Sequence, residues 1–323
     1  MEILILAEAH DGALHRMTRE TVAAAQALAR DTHLTTALVV LGAAPNAVAD
    51  AAATLEADEL LVATDPLLAS GDSDLMAEAI CQVVRAEHPT YLLAGHTYRA
   101  RDLFPRVSAR LAVPLLADVV AYEMATEGPR FIKPMFNGRL RAALVPNTAR
   151  PVIVTFQAAA YAPDAARPGT PPRRDLTLTL DPARARCQRE APVAPATGET
   201  VDLSGAERIV AVGRGLGSVE NLPVVRDLAK ALGAELACSR PVVDAGWLPQ
   251  SRQVGSSGQT VAPKLYLALG ISGATQHLVG MKGSAHVVAV NKDPEAPIFD
   301  LAEYGVVGDL LEVAPKLTER LRA

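Results

Sequence analysis

Ser239, Arg240, Ser257, Gln276 and His277 are polar or cationic side chains set in turns after short apolar runs, a placement suited to gripping an anion or a polar ring. Three of these turns are rich in glycine: Gly213-Arg214-Gly215-Leu216-Gly217, Val254-Gly255-Ser256-Ser257-Gly258, and Gly270-Ile271-Ser272-Gly273-Ala274-Thr275-Gln276-His277. A turn without Cβ atoms lets backbone N–H groups approach an anion closely, and a helix that begins there adds its unpaired N–H groups and its dipole. Several such turns between Arg208 and Asp309 point to an extended phosphorylated ligand.

Each turn also has an ordinary reading. Gly213-x-Gly215-x-Gly217 is not the G-x-G-x-x-G dinucleotide fingerprint, so alone it reads equally as a tight strand-to-helix turn. Pro241 stops a regular ladder after Ser239-Arg240 and leaves a hydroxyl and a fixed positive charge at a strand end, although most arginines are simply solvated. Gly255-Ser256-Ser257-Gly258 by itself is a flexible loop. A helix whose first turn carries Gln276 and His277 presents free N–H groups and two hydrogen-bonding side chains. Turn chemistry accounts for Asp293-Pro294 but not for Asn291 before them. Asp309, after Gly308, is a carboxylate able to accept from an amine or a sugar hydroxyl.

Other chemistry is scarce. His10, His15, His96, Asp102 and Arg106 follow no Ser/His/Asp or Cys/His order and no P-loop lysine is present, so no hydrolase is expected. Cys81, Cys187 and Cys238 are widely separated, with neither a C-x-x-C pair nor zinc spacing, so no metal is expected. Cys238 reads as an inert apolar residue and Trp247 as a packing residue. A net charge of -5 without a basic run argues against nucleic acid as a partner. Met1 to Glu8 carries acids where a secretory leader would carry positive charge, and its apolar run is too short to span a bilayer, so a cytoplasmic protein without membrane insertion is expected.

The elements that hold these residues follow from alternation. A chain of 323 residues is long for one core, and 50% hydrophobic residues with only 4% aromatics imply sheets covered by helices and packed with Ala, Val and Leu. Ile3–Ala7, Thr36–Leu41, Leu60–Ala63 and Tyr91–Ala94 read as strands, with Glu20–Ala29 and Val48–Leu55 helical between them, hence a parallel, doubly wound sheet. Phe131–Pro134, Arg139–Val145 and Pro151–Phe156 have no helices between them and read as antiparallel additions. A first domain is expected over 1–160. A Pro-rich linker is expected over 161–205, interrupted by one strand-like patch, Leu176–Leu180. Over 206–323 the rhythm resumes: strands Arg208–Val212, Glu235–Cys238, Leu265–Leu269 and His286–Asn291, with helices Val219–Leu232 and Ala274–Met281. Ligands in such sheets bind beyond the carboxyl ends of the strands, where the turns fall.

Arg208 to Ala323 resembles the flavin domain of the α subunit of electron transfer flavoproteins (ETF). The likeness lies in G-R-G-L-G-S, S-R-P-V-V-D-A-G-W-L-P, Q-V-G-S-S-G-Q-T-V-A-P-K-L-Y, G-I-S-G-A-T-Q-H-L-V-G-M, N-K-D-P-E-A-P-I-F and Y-G-V-V-G-D-L, in family order and spacing. The first half is similar more loosely, through its rhythm and Arg101-Asp102-Leu103-Phe104-Pro105-Arg106-Val107. The resemblance implies an α/β fold of two doubly wound domains, the C-terminal one a Rossmann-like FAD-binding domain. It implies FAD as cofactor, an ETF β subunit as heterodimer partner bound through the first domain, flavin dehydrogenases such as the acyl-CoA dehydrogenases of fatty acid oxidation as donors, and a quinone oxidoreductase or another acceptor. It makes the chain an electron carrier rather than a classical enzyme, with no catalytic residue.

The resemblance also assigns roles. Arg214 would contact the pyrophosphate or adenosine portion of FAD, Ser239 the FAD, and Arg240 the edge of the isoalloxazine, where a cation offsets the negative charge an added electron leaves around N1 and C2=O. Val254, Gly255, Ser256 and Ser257 depart from the usual V-G-Q-T-G: Ser257 would replace threonine as donor to flavin N5, and Ser256 loses a glutamine amide. Ser272, Gly273, Ala274, Thr275, Gln276 and His277 would cradle FAD, with His277 at the flavin O2 edge. Asn291 would lie against FAD, and Asp309 and Leu310 near its adenine end. Two other readings of the same turns stand beside this one: a nicotinamide-dependent dehydrogenase using Gly213–Gly217, and a nucleotide-binding adaptor without redox chemistry.

Overall fold

The computed structural model describes residues 1–323 except 11, 137, 139, 147–149, 188–200, 204 and 323. Contacts divide the chain into Met1–Ala191 and Pro192–Ala323.

In the first unit, β1 (Ile3–Leu6) leads through a small hairpin, β2 (Ala9–His10) and β3 (Ala13–Leu14), into an alternating series. This comprises α1 (Arg16–Thr32), β4 (Thr36–Gly42), α2 (Asn46–Ala52), β5 (Glu59–Thr64), α3 (Ser73–Glu87), β6 (Tyr91–Gly95) and α4 (Tyr98–Leu111). Then come β7 (Leu115–Val119), β8 (Ala121–Ala125), β9 (Gly128–Met135), β10 (Leu140–Leu144), β11 (Val152–Phe156) and β12 (Arg173–Leu176). Seven strands form one parallel sheet in the order β12-β5-β4-β1-β6-β11-β7, and β8, β9 and β10 form a separate antiparallel sheet. Successive residues of a strand face opposite sides, so Ile3 and Ile5 pack with Val22 and Leu28 of α1 while Leu4 packs with Ile80 of α3 and Phe104 of α4. The helices start where the sequence supplies an acceptor: Asp72 caps α3 and Thr97 caps α4.

Two expectations change here. Pro151–Phe156 is not an antiparallel addition: β11 runs parallel between β6 and β7, and all five of its residues are buried. The chain reaches it through the antiparallel excursion β8 to β10 instead of a crossover helix, which is why the absence of a helix misleads, whereas its apolar run, broken only by buried Thr155, is the mark of an interior strand. The expected linker is also not uniform. Its strand is Arg173–Leu176 rather than Leu176–Leu180, paired in parallel with β5. Farther on, Asp72 accepts through Oδ1 from the Asp74 and Leu75 N–H groups, and through Oδ2 from those of Arg186 (2.9 Å) and Cys187 (2.6 Å). Between short 3-10 turns that begin at Pro163 and Pro182 this stretch is largely extended, and extended backbone can add to a sheet edge or dock on a carboxylate without a hydrophobic signature. Residues 188–200 of the expected linker lie outside the described residues.

The second unit contains β13 (Arg208–Val212), α5 (Leu222–Leu232), β14 (Glu235–Cys238), the short α6 (Arg240–Asp244), β15 (Leu265–Leu269), α7 (Thr275–Met281), β16 (His286–Asn291), β17 (Tyr304–Val307) and α8 (Leu310–Arg322). Its five strands are all parallel, in the order β14-β13-β15-β16-β17. Val210 and Val212 of β13 face α5 and α8, through Val225, Leu228, Leu310 and Ala314. Ile209 and Ala211 face the other side, packed with Val254, Val261, Tyr266, Met281 and Ile298. Gly233 ends α5 in the left-handed region at φ 58, where a side chain would be strained. Among the described residues no helix is long and apolar enough to cross a membrane.

Candidate functional site

The expected site residues follow the carboxyl ends of the strands in the second sheet. Ser239 and Arg240 come directly after β14, Gly213 and Arg214 after β13, and Gly270 to Thr275 after β15. Asn291 is the last residue of β16, and Gly308, Asp309 and Leu310 come after β17. From β13 the chain moves outward to β14, then returns to the other side of β13 as β15. The strand order therefore reverses between β13 and β15, where an open parallel sheet leaves a crevice for a ligand.

The glycines of these turns also pack against one another. A Cβ on Gly215 would lie 2.7 Å from the Gly270 Cα, and one on Gly213 would run into the Gly270 carbonyl. The two turns therefore pack backbone on backbone, with Gly215 N–H donating to Gly270 O at 3.1 Å. At φ 140, Gly255 is likewise closed in by the Gln276 carbonyl, 2.8 Å from where its Cβ would stand. Absent Cβ atoms here bring turn against turn and so draw their flanking side chains together.

The loop at 254–257 does not follow a strand end, yet it is tied to the end of one strand and to the first turn of α7. Val254 N–H donates to Cys238 O (2.9 Å) at the end of β14, and Ser256 N–H donates to Gln276 O (2.7 Å). Val254 and Gly255 are buried while Ser256 and Ser257 are exposed. Ser257 Oγ accepts a hydrogen bond from the side-chain amide of buried Gln253 at 2.9 Å.

His277, expected at the flavin O2 edge, is a buried side chain. It is 6% exposed, its Nε2 lies 2.9 Å from the hydroxyl of fully buried Tyr266, and its Nδ1 is covered without a hydrogen bond of normal geometry. Burial pushes its pKa down to about 4, opposed by the nearby Val254 backbone, so the imidazole is neutral at pH 7. Any help it gives a negative charge comes through a neutral N–H and not an imidazolium. Its helix, α7, has seven residues, so directed donors matter more there than a helix dipole.

Arg214 and Arg240 are exposed; Arg240 has only Asp244 as an ion-pair partner among the described residues, at 3.5 Å. Ser239 is buried at the start of α6, and Ser272, Ala274, Thr275 and Gln276 are exposed around buried Gly273. Asn291 is engaged at both ends: its amide donates to Ile271 O (2.8 Å) and its oxygen accepts from Asp293 N–H (3.0 Å), stitching the β15 turn to the β16 turn. Asp309 pairs with Lys292 at 2.8 Å and caps α8 through Leu311 N–H at 2.9 Å. The Lys292 contact is the main reason its carboxyl is held below the ordinary carboxylate range. Leu310 is buried under Gly270.

Burial pushes the Cys238 thiol up to about 12, which leaves it inert. Trp247 packs against the cluster under α5. Gln253 and Tyr266 are the contributors not expected from the sequence. Gln253 directly precedes the Val254 turn, and Tyr266 carries the one polar group in the apolar run Leu265–Leu269, which is the only trace either leaves.

A family model described as the electron transfer flavoprotein FAD-binding domain matches residues 202–282, and one described as the electron transfer flavoprotein domain matches residues 3–180. The chain belongs to the electron transfer flavoprotein α-subunit family. It is 36% identical to the electron transfer flavoprotein subunit alpha of Bacillus subtilis, over 99% of this chain and 97% of the relative. It is 39% identical to the corresponding subunit of Paracoccus denitrificans, over 99% of this chain and the whole of the relative. Protein FixB of Rhizobium meliloti is 36% identical, over 98% of this chain and 92% of its own length.

FAD is the cofactor of this domain. The residues at the crevice fit it: two exposed guanidiniums suit a pyrophosphate and an electron-rich ring edge, exposed hydroxyls suit a ribityl chain, and the covered, unpartnered His277 Nδ1 is a polar atom in want of a ligand.

Proposed function

We propose that FAD lies across the β13/β15 crevice, held by Arg214, Ser239, Arg240, the 254–257 loop, Ser272 to His277, Asn291, Asp309 and Leu310. In this reading the bound flavin accepts and releases electrons, and the chain is an electron carrier with no acid–base residue of its own. Arg240 places a fixed cation beside the ring. Ser257, its oxygen already accepting from Gln253, is free to give its proton to an acceptor on the ring. Asn291 orders the β15 turn, and Asp309 with Lys292 presents a mixed-charge pair at the far end. The observation that carries this proposal is the arrival of all five strand ends, and of the loop tied to β14 and α7, at residues expected to touch the cofactor.

The chain then works as the α subunit of a heterodimer with an ETF β subunit, its first unit serving as the contact surface, in the cytoplasm. Electrons enter from flavin dehydrogenases, such as acyl-CoA dehydrogenases, and leave to a quinone oxidoreductase or another acceptor. Co-expression with the β subunit, followed by flavin counting and a screen of donors, tests this. A yellow complex with one FAD on this chain, reduced by a dehydrogenase and reoxidised by an acceptor, is the expected result. A colourless protein that binds a nicotinamide nucleotide would overturn it.

A further inference from the structure

Tyr266 lies inside β15 with no exposed surface, and its hydroxyl has one hydrogen-bond partner among the described residues, His277 Nε2. The two rings meet edge to face, at 60° and 6.1 Å between centres, so the phenol aims at the rim of the imidazole. We propose that Tyr266 is a positioning residue that fixes the proton of neutral His277 on Nδ1, so that the imidazole offers an N–H to the bound flavin. The first half rests on geometry alone, and the second on the reading of His277 as part of the flavin site.

The inventory of buried donors and acceptors decides between the two tautomers. With the proton on Nε2, the imidazole donates to the phenol oxygen, the phenol proton has no acceptor, and the Nδ1 lone pair has no donor. Two buried groups are then stranded. With the proton on Nδ1, the phenol donates to Nε2 and one group remains unsatisfied, the Nδ1 N–H, which is the covered atom noted above. The Val254 backbone beside it acts in the same sense, since it favours a proton on the ring. Burial holds the phenol protonated and the imidazole neutral, so neither charge state disturbs this choice at pH 7. An N–H whose Val254 contact falls short of a normal hydrogen bond is the form of the side chain that gains most from a flavin carbonyl or ring nitrogen.

The test is long-range proton–nitrogen correlation NMR on the full-length protein with ¹⁵N-labelled histidine, loaded with FAD and stripped of it, with the His277 signals assigned from His277→Gln among the seven histidines. The expected wild-type pattern has the proton on Nδ1. In Tyr266→Phe the ratio of the two tautomers shifts at least tenfold toward Nε2, and the flavin potential moves in the same direction as in His277→Gln, with no further change in the double variant. A wild-type proton on Nε2, or an unchanged ratio in Tyr266→Phe, overturns the role of Tyr266, and the wild-type measurement holds even if the variant folds poorly. A tautomer as expected with a flavin potential indifferent to His277→Gln overturns the flavin half and removes His277 from the site.

Discussion

The Gln253 amide nitrogen lies 2.9 Å from Ser257 Oγ, and that bond decides what the serine hydroxyl can do. An amide nitrogen only donates, so the serine oxygen is the acceptor and its proton is left for another group. Ser257→Ala is expected to lower the FAD reduction potential by about 1–2 kcal/mol, roughly tenfold in the equilibrium or ~59 mV for a one-electron couple. Ser257→Thr restores the hydroxyl and most of the value, and Gln253→Met loses part of it. Spectroelectrochemical titration reads all three, and an unmoved potential in Ser257→Ala takes the hydroxyl away from the ring.

Arg240 is available because its partner holds it loosely. The Asp244 contact is 3.5 Å long and both side chains are largely exposed, 68% for the arginine, so the pair contributes little to stability. Arg240→Ala is expected to lower the flavin potential while leaving the melting temperature nearly unchanged. Arg240→Lys keeps most of the potential, and Asp244→Asn leaves it level or slightly higher. A potential that follows Asp244 but ignores Arg240 contradicts the assignment.

Acid should reveal His277. Its native pKa is lowered to about 4 from 6.5, so between those values the unfolded chain binds a proton that the folded chain does not. Stability attributable to this residue is therefore full above about pH 6.5, declines as pH falls, and levels off below about pH 4, after a total loss of roughly 3 kcal/mol. The imidazole faces Tyr266 and the Val254 backbone, and no acid is among the causes of its shift. Urea unfolding from pH 7 to 4.5 should show a shallower loss in His277→Gln than in the wild type, and equal slopes would disprove the burial of a neutral ring.

Backbone contact between turns makes some glycines far less replaceable than others nearby. Gly213→Ala drives a methyl into the Gly270 carbonyl, whereas a Cβ at Gly308 meets only side-chain atoms at 3.9 Å. Gly213→Ala is expected to lower stability by about 2 kcal/mol or more and to speed FAD loss, while Gly308→Ala changes stability by less than about 0.5 kcal/mol. Thermal melts and the rate of flavin release settle the order.

Asp72 clips the chain at Arg186 and Cys187 to the start of α3. Its carboxyl stays below the ordinary range although burial opposes this, because four backbone N–H groups donate to it. Asp72→Ala strands those donors and is expected to cost about 2 kcal/mol. Trypsin should then cut after Arg184 and Arg186 several-fold faster. Equal cleavage rates would show that the clip does not hold this stretch.

Residues that act through the backbone pattern were legible in the sequence, and those that act through a single buried contact were not. Arg208–Val212, Glu235–Cys238, Leu265–Leu269 and His286–Asn291 are strands with the expected ends, because apolar runs closed by glycine, serine or asparagine mark both the strand and its turn. The residues proposed to face the ligand follow from those ends. Tyr266 was hidden because one hydroxyl in an apolar strand gives no hint of its partner eleven positions on. Val152–Phe156 misled through its neighbours, since parallel pairing with β6 depends on a path that short-range patterns do not show. The segment after Tyr161 misled through composition: prolines and arginines signal exposure, and Arg174 is exposed, yet it pairs with Glu59 at 2.8 Å and Glu87 at 3.0 Å to bind β12 in place.

That last strand carries a practical lesson for dissecting the molecule. β12 supplies the outermost rung beside β5. A fragment stopped at Ala160 would bare a row of amide and carbonyl groups along Glu59–Thr64, an invitation to strand-to-strand self-association. Pieces intended to be soluble and monomeric should run at least to Cys187, and insoluble behaviour of a shorter one would reflect the lost rung rather than a failure of the amino-terminal half to fold.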